Sequence, residues 1–252
     1  SSDYQLHQQF DSLSNAHLND ALMIPKAVLK HFDVEDKVHL TLKSDIPPGS
    51  GLGLSGAVTA SLVKTVSTYK KKLLSKKEIA ELTSHIEIDV LNRPIGMQDQ
   101  YASVFGGINF ITFDKDSIKV EPLIIEKKYE DILQESLMLF YTGMSRNSAT
   151  ILSNQKKATE LEAPAVMNSL HKIKDMAYRM RDVVCAGDIS RFGKLLHESW
   201  EYKKALSSDI SNTDIDRHYS AALKNGAIGG KITGAGGGGF LLICCDKKHQ
   251  GS

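Results

Sequence analysis

The chain has 252 residues, 41% of them hydrophobic, and a formal net charge of +1. That length suits one large domain or two modest ones, and the composition is that of a soluble globular protein. A near-neutral balance gives no electrostatic ground for a nucleic-acid or membrane partner. Cys185, Cys244 and Cys245 have neither metal nor disulfide spacing, nothing resembles a signal peptide, and no apolar run approaches ~18 residues, so a reducing cytoplasm is the expected location.

Residues 1–17 are polar and unpatterned. Leu18 to Phe32 has helical spacing, with Pro25 as a kink or break. Val38, Leu40 and Leu42 alternate with polar residues and predict a strand over Val38–Lys43. A helix is predicted from Ser55 to Leu74. Ser75-x-x-Glu78 is a capping box that starts a second helix, whose apolar stripe includes Ile79, Leu82, Ile86 and Val90 and which Pro94 ends. A loop over Pro94–Gln100 leads to short strands at Ile108–Phe113 and Ile118–Pro122. The unbroken apolar run Leu137–Thr142 predicts a buried strand. The second half is mainly helical: Ser145–Lys157, Pro164–Ala186 with Gly187 as its stop, Asp188–Leu206 and Thr213–Asn225. A glycine-rich run, Gly229–Gly239, then enters the apolar strand Phe240–Cys244.

The most informative stretch is Pro47-Pro48-Gly49-Ser50-Gly51-Leu52-Gly53-Leu54-Ser55-Gly56-Ala57. Glycines at alternate positions let a backbone close on an anion, and the helix that follows aims unsatisfied N–H groups and a positive dipole end at the same place. A P-loop is excluded because no lysine follows the glycines. Gly51, Gly53 and Gly56 fit G-x-G-x-x-G, but the required second strand and acidic residue are missing, since that region reads Tyr69-Lys70-Lys71-Lys72.

The stretch resembles the P-x-x-x-G-L-G-S-S-A loop of the GHMP kinases, the family of galactokinase, homoserine kinase, mevalonate kinase and phosphomevalonate kinase. The resemblance recurs, in the family's order, at Asp45–Ala57, Pro94–Gly107, Leu139–Gln155, Phe192–Lys204 and Gly229–Phe240, and is greatest for the branch that phosphorylates heptose 7-phosphate. It implies an α+β fold of two domains: a ribosomal protein S5 domain 2-like N-terminal part over residues 1–133, and a ferredoxin-like C-terminal part over residues 134–252. It also implies a further strand-rich segment ahead of Val38 with an Arg/Gly/Asp motif that residues 1–37 lack.

Carried onto this sequence, the resemblance gives each residue a role. Pro48, Gly49, Ser50, Gly51, Leu52, Gly53, Ser55 and Gly56 would cradle the phosphates of ATP. Ser55 and Glu87 would hold Mg2+, an ion that takes hard oxygen ligands and keeps several waters. Asp89, two residues on, belongs to another helix face. Asp99, in a loop like G-x-M-D-Q, would be the base that takes the acceptor's hydroxyl proton. Gly96, Gln98, Arg146, Gly234, Ala235, Gly236 and Gly237 would border the acceptor, and Lys203 and Lys204 are further candidates for its phosphate. Leu54 and Gly56 depart from the family loop, replacing Ser and Ser or Ala. The partners implied are ATP and a sugar phosphate; a homodimer is left open. The rival readings are a fucokinase-like or other sugar-1-kinase and a non-catalytic sugar or ATP sensor.

Overall fold

The computed structural model describes residues 6–35, 37–144 and 148–251, and these form two compact units. One comprises the residues up to Pro48 together with Gly53–Gly107; the other comprises Gly49–Leu52 together with the chain from Ile108 onward. The chain therefore leaves the second unit and enters the first in the middle of the glycine-rich loop.

The first unit is helical. Helix α1 spans Met23–His31, α2 Leu54–Tyr69, α3 Lys76–His85 and α4 Gln98–Phe105. Helix α2 packs against each of the other three. Its apolar positions Leu62, Val63 and Val66 meet Ala27, Val28 and Phe32 of the α1 region and Ile79 and Ile86 of the α3 region in one buried cluster. Pro25 does not kink α1; it lies in the first turn, where its missing N–H has no intrahelical partner to lose. The predicted capping box is present: the Ser75 hydroxyl accepts from the Glu78 N–H (3.3 Å), and the Glu78 carboxylate accepts from the Ser75 N–H (2.7 Å). Beyond His85 the helix widens into a π-turn, Ile86–Val90, with the Leu91 N–H donating to the Ile86 carbonyl. The predicted strand Val38–Lys43 is not one. Among the described residues no strand pairs with it, and Val38, Leu40 and Leu42 are exposed; alternation alone cannot satisfy a strand's backbone groups.

The second unit carries an antiparallel hairpin, β1 (Asn109–Phe113) with β2 (Ile118–Pro122), then α5 (Lys127–Ser136). Next come β3 (Leu137–Tyr141), α6 (Ser148–Glu160), α7 (Pro164–Ala186), α8 (Ile189–Lys204), α9 (Thr213–Lys224), β4 (Ala227–Ile232) and β5 (Phe240–Cys245). Strands β3, β5 and β4 form an antiparallel sheet in that order, with Leu139 opposite Leu242 and Gly230 opposite Ile243. Helix α8 packs on β4 and on α7. Trp200, Ile210, Ile215, Tyr219, Ile232 and Ile243 make the core. The run Leu137–Thr142 forms a strand, but an edge strand: Leu139, Phe140 and Tyr141 are each about half exposed. An unbroken apolar run reports that a strand exists better than it reports how many faces are covered. Strand β4 was hidden in the glycine run, because Gly229 and Gly230 carry no side chain to show a period.

Ser75→Ala removes one half of the capping box and should cost about 1 kcal/mol locally. Amides in the first turn of α3 should then exchange hydrogen roughly fivefold faster, read by mass spectrometry or NMR. An unchanged rate would show that packing, not the cap, fixes the start of α3.

Candidate active site

The first unit brings Ser55, Glu87 and Asp99 to one place, the first turn of α2. The π-turn directs Glu87 inward. Its side chain is wholly buried, while Asp89 is turned to solvent and pairs with His85 at 2.8 Å. The Glu87 carboxylate receives three donors. Ser55 Oγ donates to Oε1 at 2.5 Å, Arg93 Nη1 donates to the same oxygen at 2.5 Å, and Gln100 Nε2 donates to Oε2 at 2.6 Å. Arg93 Nη1 also donates to Ser55 Oγ at 2.9 Å. Breaking one side of a buried ion pair leaves an uncompensated charge worth about 3–5 kcal/mol, so this cluster fixes the relative places of α2, the π-turn and α4.

Ser55 does not cap α2. The N-cap is Gly53, in the left-handed region at φ 72°, and no side chain caps the helix. The early N–H groups of α2 thus lack a side-chain partner from the cap position, which is the arrangement an anion can use. Asp99 lies not in a loop but in the first turn of α4. Its carboxyl group borders Gly53: a Cβ on Gly53 would be 3.4 Å from Asp99 Cγ. A Cβ on Gly56 would come within 3.0 Å of the Asp99 carbonyl carbon and 3.1 Å of the Gln100 nitrogen. Gly56 is therefore a close-approach position that lets α4 start against α2. Gln98 Nε2 donates weakly to Asp99 Oδ1 at 3.4 Å.

The second unit holds the other part of the loop, Gly49–Leu52, against the second glycine-rich run. The Ser50 carbonyl accepts from the Phe240 N–H (3.2 Å) and from Thr233 Oγ1 (3.3 Å). Gly51 and Gly234 pack backbone to backbone, and a Cβ on Gly234 would be 2.8 Å from Gly51 Cα. The Gly237 N–H donates to the Ile210 carbonyl and the Gly239 N–H to the Met144 carbonyl, both at 2.8 Å. What the run Gly234–Gly239 approaches closely is thus main chain, including the first glycine-rich loop, and it is no linker. Ser50 Oγ is buried and has no hydrogen-bond partner among the described residues.

Other predicted positions are less committed. Gly96 and Gln98 are exposed beside Asp99. Ala235 packs against the sheet core. Pro48 is exposed, and Leu52 and Leu54 are partly so. Arg146 lies outside the described residues. The Lys203 ammonium donates to the Gly234 carbonyl, whereas Lys204 pairs with Glu201 at 2.9 Å. Loss of hydration pushes the Lys231 ammonium below the usual lysine range. His197 and Trp200 serve the core, the former hydrogen-bonded to the Tyr219 hydroxyl at 2.7 Å. A cavity of about 400 Å3 in the second unit, lined by residues such as Met138, Phe140, Leu241 and Ile243, has among its described lining residues none of the predicted ones and no Lys or Arg. Arg93 and Gln100 are two donors to the Glu87 carboxylate that sequence reasoning passes over. The available signal was that an inward carboxylate needs donors, and Arg93 is the first arginine in the chain.

Residues 21–107 match the family model described as GHMP kinases N terminal domain, and residues 180–252 match the one described as GHMP kinases C terminal. The D-glycero-alpha-D-manno-heptose 7-phosphate kinase of Campylobacter jejuni is 34% identical over 210 residues, which cover 82% of this chain and 61% of that protein. A solved structure of a D-glycero-D-manno-heptose 1-phosphate kinase from Bacteroides thetaiotaomicron has a TM-score of 0.75 and 27% identity, covering all of this chain and 72% of that one. A putative sugar kinase from Campylobacter jejuni has a TM-score of 0.65 and 30% identity, covering 92% of this chain and 67% of that one. Among the described residues no helix is long and apolar enough to cross a membrane.

Gln100→Leu keeps the bulk of the side chain but removes the donor to Glu87 Oε2. It should lower stability by about 1–3 kcal/mol in urea denaturation, the cost of a buried acceptor left unmet. A midpoint equal to that of the unaltered protein would mean that the 2.6 Å contact carries no weight.

Proposed function

The chain belongs to the GHMP kinase family, and from that premise we propose that it transfers the terminal phosphoryl group of ATP to the anomeric hydroxyl of a heptose 7-phosphate, in the synthesis of nucleotide-activated heptose. The observation that carries this reading is the convergence of Ser55, Glu87 and Asp99 on the first turn of α2. Phosphoryl transfer asks for charge neutralisation and positioning more than for covalent chemistry, and these residues supply the means for both.

In this reading the loop from Pro48 to Gly56 holds the triphosphate on main-chain N–H groups, with the N-terminal dipole of α2 behind it. The fit to magnesium rests on donor chemistry. Ser55 Oγ and Glu87 Oε1 are hard oxygens 2.5 Å apart, and they already share the cationic Nη1 of Arg93. Ser55 and Glu87 would hold the ion, which when bound neutralises charge on the phosphates; with two protein ligands assigned, waters and phosphate oxygens would supply the rest. Asp99 accepts the acceptor's hydroxyl proton as that oxygen bonds to the γ-phosphorus and the bond to the β–γ bridging oxygen breaks. Within the first unit Gly96 and Gln98, beside Asp99, would border the acceptor.

The chain spans 61% of the length of the Campylobacter heptose 7-phosphate kinase, and the names of its two heptose-kinase relatives place the existing phosphate differently. The acceptor is therefore best tested on a panel. Heptose 7-phosphate, heptose 1-phosphate, free heptose and fucose are each offered with ATP, and ADP release and the product's phosphorus NMR spectrum are followed. Heptose 7-phosphate should be converted to the 1,7-bisphosphate. Turnover of fucose alone would overturn the substrate, and binding of ATP and sugar without turnover would favour a sensor. Asp99→Asn should lower kcat by about 10²–10⁴-fold with little change in nucleotide affinity. An unimpaired kcat would remove Asp99 as the base.

A further inference from the structure

Arg93 rests a cation on the same two oxygens that the proposed function assigns to magnesium. Nη1 lies 2.5 Å from Glu87 Oε1 and 2.9 Å from Ser55 Oγ, and those two oxygens are themselves 2.5 Å apart. The other carboxylate oxygen, Oε2, is committed to Gln100, a residue as buried as Glu87 itself. Glu87 therefore has one oxygen to offer, and Arg93 is on it. A guanidinium and a divalent cation cannot both occupy that position, because like charges at such separation repel strongly where water is excluded.

The two partners differ in their freedom. The Glu87 side chain has no exposed surface, while that of Arg93 is 26% exposed. Among the described residues Arg93 Nε and Nη2 have no hydrogen-bond partner, so the guanidinium is held through Nη1 alone. Its main chain is anchored nearby by the Arg93 N–H donating to the Glu87 carbonyl at 3.1 Å. The backbone can stay while the head group leaves toward solvent. Arg93 is also the sole arginine of the first unit, so no other guanidinium there duplicates it.

We propose that Arg93 is a displaceable counter-cation: it keeps Glu87 neutralised and Ser55 aligned until a divalent cation arrives, then yields both oxygens to it. The proposal rests on reading Ser55 and Glu87 as the metal ligands. Arg93 is a positioning residue in this scheme, and it lowers apparent metal affinity because the competent site is open only a fraction of the time.

The test is a titration with Mn2+ alone, followed by the electron paramagnetic resonance signal of the free ion, on the unaltered protein, R93Q, R93K and E87Q. R93Q should bind Mn2+ about tenfold or more tightly than the unaltered protein. R93K, which restores a positive charge, should return toward the unaltered value. Equal or weaker binding by R93Q, or no binding by either protein, overturns the displacement. If E87Q binds as well as the unaltered protein, the metal assignment itself fails, which is a separate result. Should R93Q not fold, the arginine side-chain NMR signals of the unaltered protein decide. The Arg93 Nε–H resonance, identified by its absence in R93K, should shift and sharpen as Mg2+ is added; an unmoved resonance at saturating Mg2+ overturns the proposal.

Discussion

The first unit is organised around a charge that has no access to water. A carboxylate as buried as that of Glu87 persists only if donors and a counter-charge surround it. Meeting that need determines much else. Ser55 must stand at the second position of α2, Arg93 must return after the π-turn, and Gln100 must lie inside α4. Because Gln100 is held, its neighbour Asp99 is placed too, and Gly56 leaves room for α4 to begin there. One electrostatic constraint thereby sets the position of the residue proposed as the base.

The π-turn is part of the same solution. A regular α-helix continued from α3 would carry Glu87 and Asp89 round at the ordinary angle; the wider turn over Ile86–Val90 ends with Glu87 inside and Asp89 outside, paired with His85. Such turns are rare and frequently found at functional sites. In the second unit the governing factor is different. There the glycine-rich segments meet through main-chain contacts, with Ser50 bonded to Thr233 and Phe240 and Gly51 packed on Gly234. The departure of Gly56 from the family loop has its own explanation, since a methyl group at that position would press on the start of α4.

Much of this was legible in the chain. The helices of the second half follow from apolar spacing and capping residues, and α7 was readable from Pro164 to its stop at Gly187. The expectations for the loop, Glu87 and Asp99 rest on several blocks that resemble one family in order, and Ser55, Glu87 and Asp99 do share one place in the first unit. What could not be read has identifiable causes. Val38–Lys43 alternates like a strand, but pairing depends on a partner that alternation does not supply. Strand β4 has Gly229 and Gly230 at its centre and so has no side-chain period to display. Pro94–Gln100 reads as a loop, yet α4 starts at Gln98 without a side-chain cap to announce it. Arg93 and Gln100 matter only through their contact with Glu87, and contact between residues six and thirteen apart has no signature in spacing.

The account stands most directly on where a bound triphosphate lies. Crystals grown with a non-hydrolysable ATP analogue, Mg2+ and heptose 7-phosphate should show the phosphates on the main-chain N–H groups of the loop that ends at Gly56. The terminal phosphate should stand beside Asp99, with Glu87 turned toward the metal. A nucleotide seated instead in the cavity walled by Met138 and Phe140, with the glycine-rich loop bare, would contradict it.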